Sequence, residues 1–167
     1  MKYAFLIILL ASCSQPPKVV GIVDGDGLKI LENNVVTNIR LSDIDCPERH
    51  QPFGERARQT TADLAFGKTV SVKYKGKSYN RLVAEVTLPD GRSLNRELVA
   101  QGYAWWYPAY SKDKSYKQLE QNARENHLGL WADKHPVPPW EWRKNEKEKH
   151  REKRKSKLET RIPAASR

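Results

Sequence analysis

Two short stretches of the chain hold residues whose types and spacing could do chemistry. The first is Asp24-Gly25-Asp26; the second runs Arg40-Leu41-Ser42-Asp43-Ile44-Asp45-Cys46-Pro47-Glu48. If Asp26, Asp45 and Glu48 converge, they present oxygen donors, which hard divalent cations such as calcium take together with backbone carbonyls and water. No His or Cys cluster stands at zinc-like spacing, which argues against a zinc centre. Taken singly, each piece is ordinary. Asp-Gly is a common hairpin turn, Asp ahead of a Pro is a frequent loop device, and Glu after Pro often opens a solvated helix. What sets the carboxylates apart is their combination with two arginines, Arg40 within the second stretch and Arg81 beyond it.

The elements around these residues read as a small barrel. Val19 to Val23 is apolar and β-branched, which predicts a strand. Asp24-Gly25-Asp26-Gly27 is a turn signal, Leu28 to Leu31 alternates with period two, and Glu32-Asn33-Asn34 turns again into Val35 to Leu41. Three short strands in a meander would put the first acidic pair and the end of the third strand at one rim. Ala57, Thr61, Leu64 and Ala65 recur at helical spacing within Glu55 to Phe66, with Gly67 as a stop. Thr69 to Tyr74 and Arg81 to Leu88 give two more strands. Ser93 is a predicted N-cap for a helix burying Leu94, Leu98 and Val99, and Ser115 to His127 is a further helix closed by Gly129. Five strands with a helix between the third and fourth fit a five-stranded Greek-key barrel of the OB type, an α+β fold with about three helices. The order of strands and helices argues against a parallel α/β sheet.

The 167 residues amount to one domain. A formal net charge of +10 points to a polyanionic partner: nucleic acid, anionic lipid or an acidic polymer. At the start, Lys2 and the apolar run Ala4 to Ala11 are too short to span a membrane but suit a signal peptide. The run ends in Leu10-Ala11-Ser12-Cys13, which resembles a bacterial lipobox, so Cys13 is the expected lipid attachment point. This divides the chain into a signal peptide (1–12), a lipid-anchored linker (13–18), a barrel domain (19–135) and a Pro-bounded basic tail (136–167). The protein is then expected to be exported to a bacterial cell envelope, at the outer membrane or facing the periplasm in a Gram-negative host. Cys46 has no disulfide partner in that scheme. After Trp142 the tail is nearly all charged, with no apolar stripe, and reads as an exposed helix or disorder. It could follow nucleic-acid phosphates, lie on anionic headgroups, or be merely solvated.

Ile22-Val23-Asp24-Gly25-Asp26, Ile39-Arg40-Leu41 and Ile44-Asp45-Cys46-Pro47-Glu48 together resemble the thermonuclease, or staphylococcal-nuclease-like, family. Gln51-Pro52-Phe53-Gly54, Tyr79-Asn80-Arg81, Leu94-Asn95-Arg96-Glu97-Leu98-Val99, Gln101-Gly102-Tyr103-Ala104 and Asn126-His127-Leu128-Gly129-Leu130-Trp131 follow in the expected order. The resemblance covers roughly Val19 to Trp131 and implies a calcium-dependent endonuclease acting on DNA and RNA, with little sequence specificity and 3′-phosphate products. It implies that Asp26, Asp45 and the backbone carbonyl of Cys46 hold calcium, that Glu48 is the general base, and that Arg40 and Arg81 grip the phosphate. These roles suit the chemistry. A phosphodiester is an anion, so cationic groups must neutralise the charge building on it, and the planar arginine fork matches phosphate oxygens.

Tyr79 and Tyr110 are candidates for stacking on bases, whereas Trp105 and Trp106 are expected to be packing residues. The family's usual Thr after the first turn is Gly27 here, and its usual Gly before the second arginine is Asn80, which tolerates a left-handed conformation. The chain is expected to act as a monomer. Two rivals stand beside this reading: an OB module that binds nucleic acid without cutting it, and an envelope-binding protein whose tail docks on acidic polymer or lipid.

Overall fold

The computed structural model describes residues 15–159, so the expected signal peptide and the expected lipid attachment at Cys13 lie outside the described residues. The strands are β1 (Lys18–Ile22), β2 (Gly27–Glu32), β3 (Val35–Leu41), β4 (Ile44–Asp45), β5 (Ser71–Ser78), β6 (Arg81–Thr87) and β7 (Trp105–Trp106). The helices are α1 (Gly54–Ala65), α2 (Leu94–Ala100), α3 (Ser115–Glu125) and α4 (Pro139–Glu159), with a 3₁₀ turn at Gly129–Ala132. α1, α2 and α3 are the three helices expected of the body, and the charged tail, expected as a helix or disorder, is helical through Glu159.

β1, β2, β3, β6 and β5 form one mixed sheet in that order, antiparallel except where β3 runs parallel to β6. A bridge between Lys18 and Thr69, with Val19 N–H donating to the Lys68 carbonyl at 3.0 Å, ties β1 to the segment leading into β5. The sheet edges are thereby brought together, an arrangement consistent with the OB-type barrel. β4 and β7 make a separate two-stranded ribbon. β5 begins two residues later and runs four residues further than the alternation of Thr69 to Tyr74 suggests, because its pairing with β6 continues through Ser78 opposite Arg81.

Period-two burial builds the core. Leu28 and Ile30 of β2 point inward while Lys29 between them is exposed, and Ile39 and Leu41 of β3 and Ala84 and Val86 of β6 do the same. α2 closes the interior with Leu94, Leu98 and Val99, all fully buried, and each such aliphatic side chain contributes about 1.5–3 kcal/mol of transfer free energy. Its predicted N-cap is present, with Ser93 Oγ accepting from Arg96 N–H. A smaller aromatic cluster holds Trp105, Ala123, Leu130 and Trp131, with Phe53 and Trp140 packed against it. Trp105 meets Trp131 edge-on at 4.4 Å between ring centroids, so the packing expectation for this residue holds.

α4 leaves the body after its first turn. Trp140 stacks on Tyr107 at 5.0 Å and meets Trp105 edge-on at 5.8 Å, and the Val137 carbonyl just ahead of the helix accepts from Gln51 Nε2 at 2.6 Å. From Lys147 to Leu158 every residue is exposed. Among the described residues no helix is long and apolar enough to cross a membrane.

Candidate active site

The turn between β1 and β2 aims the first carboxylates. Thr61 Oγ1 of α1 donates to the Gly25 carbonyl at 2.6 Å, and the Asp26 carbonyl accepts from Leu41 N–H at 2.8 Å, so the turn is tied to both α1 and β3. Gly25 is packed so closely that a Cβ there would sit 2.6 Å from Cys46 Cβ and 2.9 Å from Ala57 Cβ. The register that pairs Gly27 with Arg40 sets Asp26 beside the arginine, and the two form an ion pair. Arg40 also donates to Asp45 Oδ1 at 2.6 Å and to the Ile44 carbonyl at 3.2 Å.

Asp45 is fixed by the pairing of β4 with Trp105 of β7, and only 2 % of its side chain is exposed. Cys46 N–H donates to Asp26 Oδ2 at 2.8 Å. The Cys46 thiol is buried, which pushes its pKa well above the ordinary thiol range. Its sulfur is therefore a packing group against Gly25, and only its backbone is available for chemistry. Gln51 and Gly54 set the loop that carries Glu48. Gln51 Oε1 accepts from Glu48 N–H at 3.1 Å, and Gly54 lies so near the Glu48 carbonyl that no Cβ would fit. Asn95, fully buried at the head of α2, donates to the Ser42 carbonyl at 2.9 Å and accepts from Val86 N–H at 3.1 Å, pinning the exit of β3 to β6.

Asp26, Arg40, Asp45, Cys46, Glu48, Tyr79, Arg81 and Tyr110, every site residue named from the sequence within the described residues, line one cavity of about 680 Å³. Arg81 opens β6 at the cavity wall and makes no ion pair among the described residues. Tyr79, at the tip of the β5–β6 turn, is 94 % exposed and Tyr110 is 78 % exposed. The left-handed residue of that turn is Tyr79, at φ 54°, and not Asn80 as the sequence suggested. The register pairing Ser78 with Arg81 leaves a two-residue connection, and its first position takes the positive φ.

Among the cavity residues with no role assigned from the sequence, Asp24 and Arg143 bear on its chemistry. Asp24 Oδ1 is buried without a hydrogen-bond partner among the described residues. Burial pushes the Asp24 carboxyl up to about 6, with neighbouring Asp26 adding to the rise and Arg40 and Arg81 opposing it. The other is Arg143 of α4, which reaches back from the tail. Its Nη2 donates to Asp45 Oδ2 at 2.8 Å, and its Nη1 donates to Glu48 Oε1 at 2.6 Å and to Asp45 Oδ1 at 3.3 Å. The sequence signal for it was the pair Trp140 and Trp142 at the head of an otherwise charged helix, aromatic side chains that imply packing.

Asp45 thus lies between two guanidinium groups. Burial pushes its carboxyl up all the same, opposed by the hydrogen bond from Arg143 and the charges of Arg40 and Arg143 and helped by Asp26. Burial works against the charge on Arg40, yet Asp26 and Asp45 hold its pKa above the ordinary guanidinium range.

The donor set fits a hard divalent cation. Asp26 and Asp45 face one another across Arg40, the backbone at Cys46 adjoins Asp26, and Asp24 Oδ1 is a buried oxygen without a hydrogen-bond partner among the described residues. Among the described residues no group of three His, Cys, Asp or Glu side chains is arranged to hold a metal ion alone. A cation here would rest on two carboxylates and backbone oxygen and fill its remaining positions with water and ligand oxygens, as calcium does.

Residues 38–133 match the family described as staphylococcal nuclease homologue. The chain is 38 % identical over 146 residues to an uncharacterized endonuclease of Haemophilus influenzae, covering 85 % of this chain and 82 % of the relative. It is 39 % identical over 141 residues to a micrococcal nuclease of Shigella flexneri, covering 78 % and 81 % respectively. A staphylococcal-like nuclease of Arabidopsis thaliana is 37 % identical over 110 residues, which span 65 % of this chain and 34 % of that protein.

Proposed function

The chain belongs to the staphylococcal nuclease family, and from that premise we propose that it is a calcium-dependent endonuclease cutting DNA and RNA with little sequence preference and leaving 3′-phosphate ends. One observation carries the reading: two acidic ligands, a carboxylate base and two arginines from four separate segments line a single cavity. Glu48, 40 % exposed, stands where water can reach it and takes the proton of the attacking water. Arg40, held rigid by Asp26 and Asp45, and Arg81, with no ion pair among the described residues, present cationic forks to the phosphate as charge builds on its oxygens. Asp26, Asp45 and the Cys46 carbonyl hold the calcium ion, which supplies Lewis-acid charge and a template for in-line displacement.

Tyr79 and Tyr110 stand on the exposed rim and offer flat faces to bases, a contact worth about 1–3 kcal/mol with little sequence preference. The envelope location and the lipid on Cys13 are part of the same proposal and rest on the N-terminal sequence alone.

The test is cleavage of single-stranded DNA, duplex DNA and RNA by the purified protein, with calcium and with excess chelator, followed by end-group analysis. Cutting that needs calcium and leaves 3′-phosphates is expected. Folded Glu48→Gln and Arg81→Ala proteins are expected to lose at least about a hundredfold in rate, the usual scale for a general base or a transition-state cation. Normal rates in either would sink the assignment of roles. Binding without cutting would move the protein to the non-catalytic OB module.

A further inference from the structure

α4 segregates its charges by face. Residues four, eight and eleven positions apart share one side of a helix, so Arg143, Lys147, Arg151 and Arg154 form a single basic face, and Glu141, Glu148 and Glu152 lie on the other side. Glu146 sits at the border and pairs with Lys149 at 2.9 Å. A helix that is merely solvated gains from opposite charges at i,i+4. Here Arg143–Lys147, Lys147–Arg151 and Arg151–Lys155 are all like-charged steps, and each is mildly destabilising. A polyanion lying along this face would remove that repulsion.

The orientation of the face is fixed by its first member. Arg143 reaches into the cavity to Asp45 and Glu48, while Trp140 locks the helix start against Tyr107 and Trp105. The side chains that follow on the same side therefore begin at the cavity and extend outward for about 16 Å from Arg143 to Arg154. All are exposed from Lys147 onward. Within α4 the only large apolar residue beyond Trp142 is Leu158, so the helix lacks the apolar stripe that an element inserted in a bilayer surface needs.

We infer that this face of α4 is a second nucleic-acid contact, which takes the phosphates of a strand leaving the cavity past Arg143. The inference rests on the proposed nuclease reading, and the experiment separates the two.

Binding of a long labelled single strand and of a duplex is measured by fluorescence anisotropy in excess chelator across a salt series, and cleavage of a hexanucleotide is measured with calcium. Two variants each remove two positive charges: Lys147→Gln with Arg154→Gln on the basic face, and Lys149→Gln with Lys153→Gln off it. Glutamine keeps the helix, which circular dichroism checks. The face variant is expected to bind the long strands roughly tenfold more weakly, and its log–log salt slope should shrink by about 1.4 for the single strand and about 1.8 for the duplex. The off-face variant should change little, and both should cut the hexanucleotide like the parent. Equal losses in the two variants, or none in either, would overturn the inference. So would unchanged strand binding with lost binding to phosphatidylglycerol vesicles, which would assign the face to a membrane. Failure of the parent to cut the hexanucleotide would instead count against the nuclease reading.

Discussion

Replacing Arg143 with Ala should tighten calcium binding in the absence of nucleic acid. In the structure its guanidinium occupies oxygens of Asp45 and Glu48, and Asp45 is one of the proposed calcium ligands. A hydrogen bond to a charged group contributes about 1.5–3 kcal/mol. That figure needs a discount here, since the side chains of Arg143 and Glu48 are 37 % and 40 % exposed and water screens their pair. The pairing to Asp45, itself 2 % exposed, keeps more of its strength. About 1–2 kcal/mol is then the cost of moving Arg143 aside, and its removal should lower the calcium dissociation constant roughly tenfold. Titration calorimetry of the parent and Arg143→Ala proteins reads this directly, with Arg143→Lys falling between them because Lys cannot bridge two carboxylates with a planar fork. Without calcium, Arg143→Ala should also be the less stable protein, since the nearly buried Asp45 loses a partner. Unchanged or weaker calcium affinity in a folded Arg143→Ala protein would refute the competition.

Asp24→Asn should flatten the pH dependence of stability. The folded carboxyl titrates at about 6 against an ordinary 3.8, so the native state holds the extra proton between those values, and stability falls as pH rises through that window. Above it the ionised group costs up to about 3 kcal/mol, and thermal melts of the variant from pH 4 to pH 7 should lack most of that decline. Gly25→Ala forces a methyl against Cys46 and Ala57 and should destabilise by at least about 1–3 kcal/mol in denaturant melts. Trp140→Ala removes the stack on Tyr107 and the edge contact with Trp105. It should free Arg143 from Asp45 and Glu48, so its calcium affinity should rise toward that of Arg143→Ala.

Much of the site was legible because the chemistry needs particular side chains and the turns that carry them are local. Asp-Gly-Asp after a β-branched strand, and Arg40 five residues ahead of Asp45 at a strand end, announce themselves within a few residues. The strands were readable for the same reason, since burial of alternate residues leaves a period in the sequence. α4 as a helix was half legible: its composition allowed a helix or disorder. The backbone of the Tyr79-Asn80 turn was misjudged because the register of β5 on β6, a pairing between strands, decides which residue takes positive φ.

Sequence alone determined which groups could act: the carboxylates Asp26, Asp45 and Glu48, the arginines Arg40 and Arg81, and a buried core to hold them. Tertiary structure decided what those groups meet. Arg143 stands 98 residues from Asp45 and 95 from Glu48, and no local pattern encodes a contact across such a span. It exists because Trp140 finds Tyr107 and Trp105, and that packing turns the next residues of α4 toward the cavity. Asp24 looked like half of an ordinary turn until the fold buried its oxygen with no hydrogen-bond partner among the described residues. Periodicity and turn chemistry act over a few residues, whereas charge pairing and burial act through space, and only the folded chain fixes those distances.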